Sequence, residues 1–76
     1  MHRIEIHRLD GTLWCWEYCD FRDEWHWVVG MLTGIYGCAR EDIDIVEDED
    51  RGDVLTVRGV EVGLLPAPST LRRMTT

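Results

Sequence analysis

The chain has no lysine. All eight of its basic residues are arginine, set against fifteen Asp and Glu, so the 76 residues carry a formal net charge of −7. A protein that grips nucleic acid directly ordinarily shows a basic footprint, and this one lacks it. No apolar run approaches the ~20 residues that cross a bilayer. Met1 to Arg8 alternates in polarity instead of running from charged to apolar as a signal peptide does, so a cytoplasmic protein is expected. No glycine-rich loop joins a strand pattern to a helix pattern, because Gly30 and Gly34 fall inside the helical stretch; a phosphate cradle is excluded on that ground. Three cysteines, Cys15, Cys19 and Cys38, cannot all pair within one chain and read as reduced thiols. A chain this short buries only about 60% of its unfolded surface, which leaves room for one small domain and little wall for a substrate cleft.

What is present is a change of period. Ile4 and Ile6 alternate with Arg3, Glu5 and His7, a strand signal. Asp10-Gly11 is a hairpin dipeptide, so residues 2–9 and 13–18 are expected as an antiparallel hairpin. Trp14, Trp16 and Tyr18 share one face of the second strand and are expected to meet a helix. From Phe21 the period becomes 3.6: Phe21, Trp25, Val28, Val29, Leu32, Ile35 and Tyr36 share a broad stripe. Asp20 is placed to cap this helix at about residues 20–36, and Gly37 to end it. Asp42–Val46, Val54–Val57 and Val60–Leu64 complete five strands, with Arg58-Gly59 a tight turn. Pro66 and Pro68 supply no N–H to a ladder and stop the sheet. The order β-β-α-β-β-β predicts an α+β two-layer domain over residues 1–66: one helix on a five-stranded, mainly antiparallel sheet. Residues 67–76 are expected as a mobile polar tail.

No constellation specifies a reaction, and no enzyme, cofactor or metal is expected. Zinc would need thiolates and imidazoles in tetrahedral array, but Cys15, Cys19, Cys38 and His26 lack the spacing. A Cys/His nucleophile would need nearby positive charge, whereas Glu17, Asp20, Asp23 and Glu24 surround the first two cysteines. Trp27 projects away from the apolar stripe, beside Gly30 and Gly34, and reads either as a partly covered surface Trp or as a contact anchor in a shallow helix groove.

The informative segment is Glu41 to Asp53. It holds eight carboxylates against Arg51 alone, seven net negative charges in thirteen residues. Asp42 and Asp44, about 6.5 Å apart on one strand face, would start a line continued by Glu47, Asp48, Glu49, Asp50 and Asp53. A calcium loop does not fit, since Glu47 stands where an EF-hand needs Gly. Two readings stay open: a solvated face, or a face for a basic protein surface, since closely spaced negative charges also line a DNA backbone.

The acidic set at Glu41 to Asp53, with Asp20, Asp23 and Glu24, the small size and the absence of catalytic motifs resemble phage-encoded anti-CRISPR proteins. The resemblance is one of profile over the whole chain and involves no shared motif. It implies an inhibitor in the host bacterial cytoplasm. Such an inhibitor would block DNA recruitment by a Cascade-like CRISPR effector, as a DNA mimic, through Asp42, Asp44, Glu47, Asp48, Glu49, Asp50, Asp53 and Trp27. A small phage or bacterial assembly protein joined through Trp27 is the alternative.

Overall fold

The computed structural model describes residues 1–65; the tail expected at 67–76 lies outside them. Five strands and one helix follow in the expected order: β1 His2–His7, β2 Leu13–Cys19, α1 Glu24–Tyr36, β3 Ile43–Asp48, β4 Gly52–Val57 and β5 Val60–Leu65. The strands form one antiparallel sheet in the order β2-β1-β5-β4-β3. The turns are where the short polar dipeptides put them. Gly11 takes φ +91, and the Asp10 carboxylate accepts from the Thr12 N–H at 2.9 Å and the Thr12 hydroxyl at 2.6 Å. Arg58 and Gly59 both have positive φ, as a two-residue turn matched to strand twist requires.

The register decides which side chains meet the helix. Ile4 faces Glu17 and Ile6 faces Cys15 across β1 and β2. Leu55 stands opposite Ile45 and Gly63, and Val57 opposite Ile43. Ile4, Ile6, Ile43, Leu55, Val57 and Leu65 pack with Val28, Val29 and Leu32 of α1 and with Cys38. Each such side chain, fully buried, contributes about 1.5–3 kcal/mol. Gly63 leaves the space that two neighbours fill: a Cβ there would lie 3.1 Å from Ile6 Cγ2 and 3.6 Å from Trp14 Cζ3.

The aromatic face of β2 is a correction. Trp16 and Tyr18 pair with Glu5 and Arg3 on the side away from the helix and are 45% and 54% exposed. The two buried isoleucines of β1 set the inner face, so Cys15 and Cys19, not the aromatic positions, turn inward. Trp14 still packs against the core because the register shifts between Ile6 and His7. The extra residue is a bulge, which turns one more side chain inward than strict alternation allows. Its ring meets Tyr36 edge-on at 6.5 Å between centroids.

The helix starts later than expected. Phe21–Asp23 is a 3-10 turn, and Phe21 is exposed, its ring 4.1 Å from that of His2. Asp20 makes no side-chain cap; its carboxylate lies 3.7 Å from the Met1 amino group. Ile35 and Tyr36, at the far end, are also exposed. Gly37 ends α1 at φ 61, its N–H bonded to the Thr33 carbonyl at 3.0 Å.

Candidate functional site

The acidic segment folds as a 3-10 turn at Arg40–Asp42, the edge strand β3 and the turn into β4. Asp42 precedes the strand. Its carboxylate accepts from the Ala39 N–H at 3.0 Å and lies 3.3 Å from the Arg58 guanidinium, so it is already engaged as a local cap and ion pair. Asp44 stands exposed on the far face of β3, and Glu47 on the helix side of the same strand. Because β3 is an edge, carboxylates on both its faces are open to a partner approaching from that side.

Asp48 belongs to the turn. It accepts from the backbone N–H groups of Asp50 and Arg51 and from the Arg51 guanidinium at 3.1 and 2.9 Å. The same guanidinium reaches Glu61 at 3.0 and 2.8 Å. Glu61 faces Thr56 and Asp48 faces Gly52, so Arg51 runs along the outer face of β4, where Val54 is buried. These bonds, led by the Arg51 side chain, hold Asp48 and Glu61 below their ordinary carboxylate range and raise Arg51. Glu49 and Asp50 remain exposed in the turn.

Asp53 departs from the expected line. It is 1% exposed, opposite Glu47 and Leu65 on the helix side of β4, and so cannot extend a surface patch. Strand parity explains this: Asp53, Leu55 and Val57 share one face. The exposed set without an ion-pair partner among the described residues is therefore Glu41, Asp44, Glu47, Glu49 and Asp50.

Trp27 is half-buried and packs against the core, as does Trp25, which leaves less of its ring for a partner. Gly30 and Gly34 are exposed, with open space where a Cβ would stand. His26 is exposed on the same helix, and no group of three or more His, Cys, Asp or Glu among the described residues converges for a metal ion.

One polar cluster was missed in the sequence. Glu24, the first residue of α1, is 1% exposed, and its Oε1 bonds the Nε2 of His2. His2 stands opposite Cys19 in the β1–β2 register. His2 Nδ1 and the second Glu24 oxygen are buried without a hydrogen bond. Burial first, then Glu24, Asp23, Asp20 and Glu17, pushes the Cys19 thiol up; burial does the same to Cys15. Both thiols are thereby held in the protonated, poorly nucleophilic form at neutral pH. The sequence clue was the position of Glu24 three residues after Phe21, on the edge of the apolar stripe.

No helix among the described residues is long and apolar enough to cross a membrane. No family model, curated protein or solved structure matches the chain.

Proposed function

We propose that this protein is a small acidic inhibitor. In this reading, the β3 edge and its turn dock on a basic, nucleic-acid-binding surface of another protein and occupy the place of phosphates. The specific case is an anti-CRISPR protein acting on a Cascade-like effector. One observation carries the reading: five exposed carboxylates, Glu41, Asp44, Glu47, Glu49 and Asp50, lie along one sheet edge and its flanking turns, none of them in an ion pair among the described residues. Neighbouring acids elsewhere on the segment are engaged by Arg51 and Arg58, which orders the turn and leaves these five for a partner. Asp44 and Glu47 are held on a paired strand, so little ordering entropy remains to be lost on binding. Each exposed ion pair contributes only about 0.2–1 kcal/mol, so affinity requires several together and a desolvated interface.

The test is competition. A purified Cascade-like effector should lose target-DNA binding as this protein is added, more weakly as salt rises. Charge reversal at Asp44, Glu47 and Asp50 together should remove the effect, while single Asn or Gln replacements weaken it modestly. Binding to the effector that is unchanged by saturating DNA would defeat the phosphate-site reading.

A further inference from the structure

The two edges of the sheet are chemically opposite. β3 carries Asp44, Glu47 and Asp48 and leads into Glu49 and Asp50. Two such edges brought together would set like charges opposite one another, which is destabilising. β2, the other edge, reads Leu-Trp-Cys-Trp-Glu-Tyr-Cys over seven residues. It has no proline, no arginine and a single charge. Edge strands are normally blunted by charge, proline, a bulge or shortness; β2 has Glu17, the bulge at Trp14 and the Arg8 guanidinium on its first carbonyl, and its middle at Trp16 is open. That carboxylate accepts from the Tyr18 N–H at 2.9 Å, which shows that the Tyr18 N–H points away from β1. By the alternation of an antiparallel ladder, the N–H and C=O of Trp16 share that free edge. At the start of the strand the Leu13 carbonyl accepts from the Arg8 guanidinium at 2.6 Å, which leaves the Trp16 groups as the open stretch of the edge. Beside it, on the outer face, Trp16 and Tyr18 are about half exposed and meet edge-on at 5.3 Å, with the Arg3 guanidinium 4.3 Å from the Trp16 ring.

From this we infer that β2 pairs with β2 of a second copy, antiparallel about a two-fold axis, to make one continuous sheet of twice the width. Charge selects the occupant and the register. Residues 1–23 are nearly balanced, with Arg3, Arg8 and Arg22 against five acids, while residues 40–65 hold nine acids against three arginines. Joining the β2 edges buries the balanced end and keeps the two acidic edges at the far ends of the sheet. Centring the axis on Trp16 sets Glu17 opposite Cys15 of the second copy, with the paired stretch ending at the bulge at Trp14. Sliding the pair so that Trp16 meets Tyr18 would put the two Glu17 carboxylates face to face, which opposes that register. In the centred register the two Trp16 residues exchange backbone hydrogen bonds. Their rings then join those of Tyr18 into one aromatic band on the outer face. This surface is distinct from the acidic edge of the proposed function and stands or falls separately.

Sedimentation velocity on the full chain is the test. Association to a species of twice 8.9 kDa is expected. It should strengthen from about 50 mM to about 1 M salt, because screening relieves the repulsion of two copies at −7 each; binding through the acidic edge responds to salt in the opposite sense. Trp16→Lys, which sets two cations opposite across the axis, should weaken association at least about tenfold. Glu17→Gln, which removes the only charge on the strand, should strengthen it. Treated with an added disulfide oxidant such as oxidised glutathione, which takes up the two electrons, Glu17→Cys should form an interchain disulfide to Cys15, identified by peptide mass mapping. A single 8.9 kDa species throughout, or dimers that Trp16→Lys leaves intact, would overturn the inference, including the case in which β2 captures a different protein.

Discussion

His2 and Glu24 offer the clearest test of how the two layers are fastened. Replacing His2 by Ala leaves the Glu24 carboxylate 1% exposed without its imidazole partner. Removing one partner of a buried hydrogen-bonded pair costs about 1–3 kcal/mol when the pair is neutral and about 3–5 kcal/mol when it is charged. Two features lower that figure here. The His2 side chain is 26% exposed, so water can enter the space it leaves. Glu24 also lies in the first turn of α1, where the helix dipole favours a negative charge by about 0.3–1 kcal/mol. The expected loss is therefore about 2–3 kcal/mol. Total stability for a chain of this length is about 4–11 kcal/mol, so the variant stays folded over much of that range. In urea, with a slope near 1 kcal/mol per molar, the midpoint should fall by about 2–3 M. Part of the loss could come from the ring contact with Phe21 at 4.1 Å, and His2→Phe separates the two: it keeps an aromatic ring and removes the partner. If the bond to Glu24 dominates, His2→Phe costs nearly as much as His2→Ala. Glu24→Gln should cost about 1 kcal/mol, since one hydrogen bond to His2 survives. A midpoint shift for His2→Ala below about 0.5 M, or no coupling between His2→Ala and Glu24→Gln in a double-mutant cycle, would refute the reasoning.

Two glycines should respond with opposite sign to the same substitution. Gly63→Ala forces a Cβ to 3.1 Å from the fully buried Ile6 and 3.2 Å from the His7 carbonyl, and should cost about 1–3 kcal/mol in thermal or urea unfolding. Gly30→Ala, in an exposed helix position with open space around it, should stabilise by about 0.5–1 kcal/mol. Arg51→Met should flatten the acid limb of the stability curve. Asp48 and Glu61 lie below their ordinary values of 3.8 and 4.5 in the folded protein, so their contribution is complete above those values and is lost as pH falls through the lowered ones. The difference between wild type and Arg51→Met should therefore be constant above about pH 5 and shrink below about pH 4 in chemical unfolding followed by circular dichroism.

The architecture was legible because each element announces itself locally. Asp10-Gly11 and Arg58-Gly59 mark turns, Gly37 marks the helix end, and the period changes between Tyr18 and Phe21. Which face of β2 turns inward was not legible. Alternation shows that Trp16 and Cys15 point to opposite sides, but the choice rests on Ile4 and Ile6 across the ladder and on a bulge at Trp14 that no local pattern marks. The acidic segment was legible as composition and only partly as a surface. Glu49 and Asp50 lie in the turn, whereas Asp53 lies past it on β4, where parity sends it inward with Leu55. Asp42 and Asp48 went to backbone N–H groups and arginines, the arginine of Asp42 a tertiary neighbour sixteen residues away and that of Asp48 three residues on in the same turn. The His2–Glu24 pair escaped notice because its members lie on different layers, twenty-two residues apart.

The junction between β1 and β5 is slight: among the described residues a single registered pair, His7 and Leu64, closes it. The other three strand pairings join neighbours in the chain through short turns, whereas His7 and Leu64 stand near opposite ends of the described chain. Loop-closure entropy is thus met in small instalments everywhere but at that joint. The β1–β2 hairpin and the β3–β4–β5 meander can each form from local contacts, quickly, and only then be brought edge to edge. Since α1 carries Val28, Val29 and Leu32 into a core shared by both pieces, it acts as the clasp. The slow event in folding is then the docking of two half-sheets under a helix, and mutations along α1 should matter more to the rate than mutations within either hairpin.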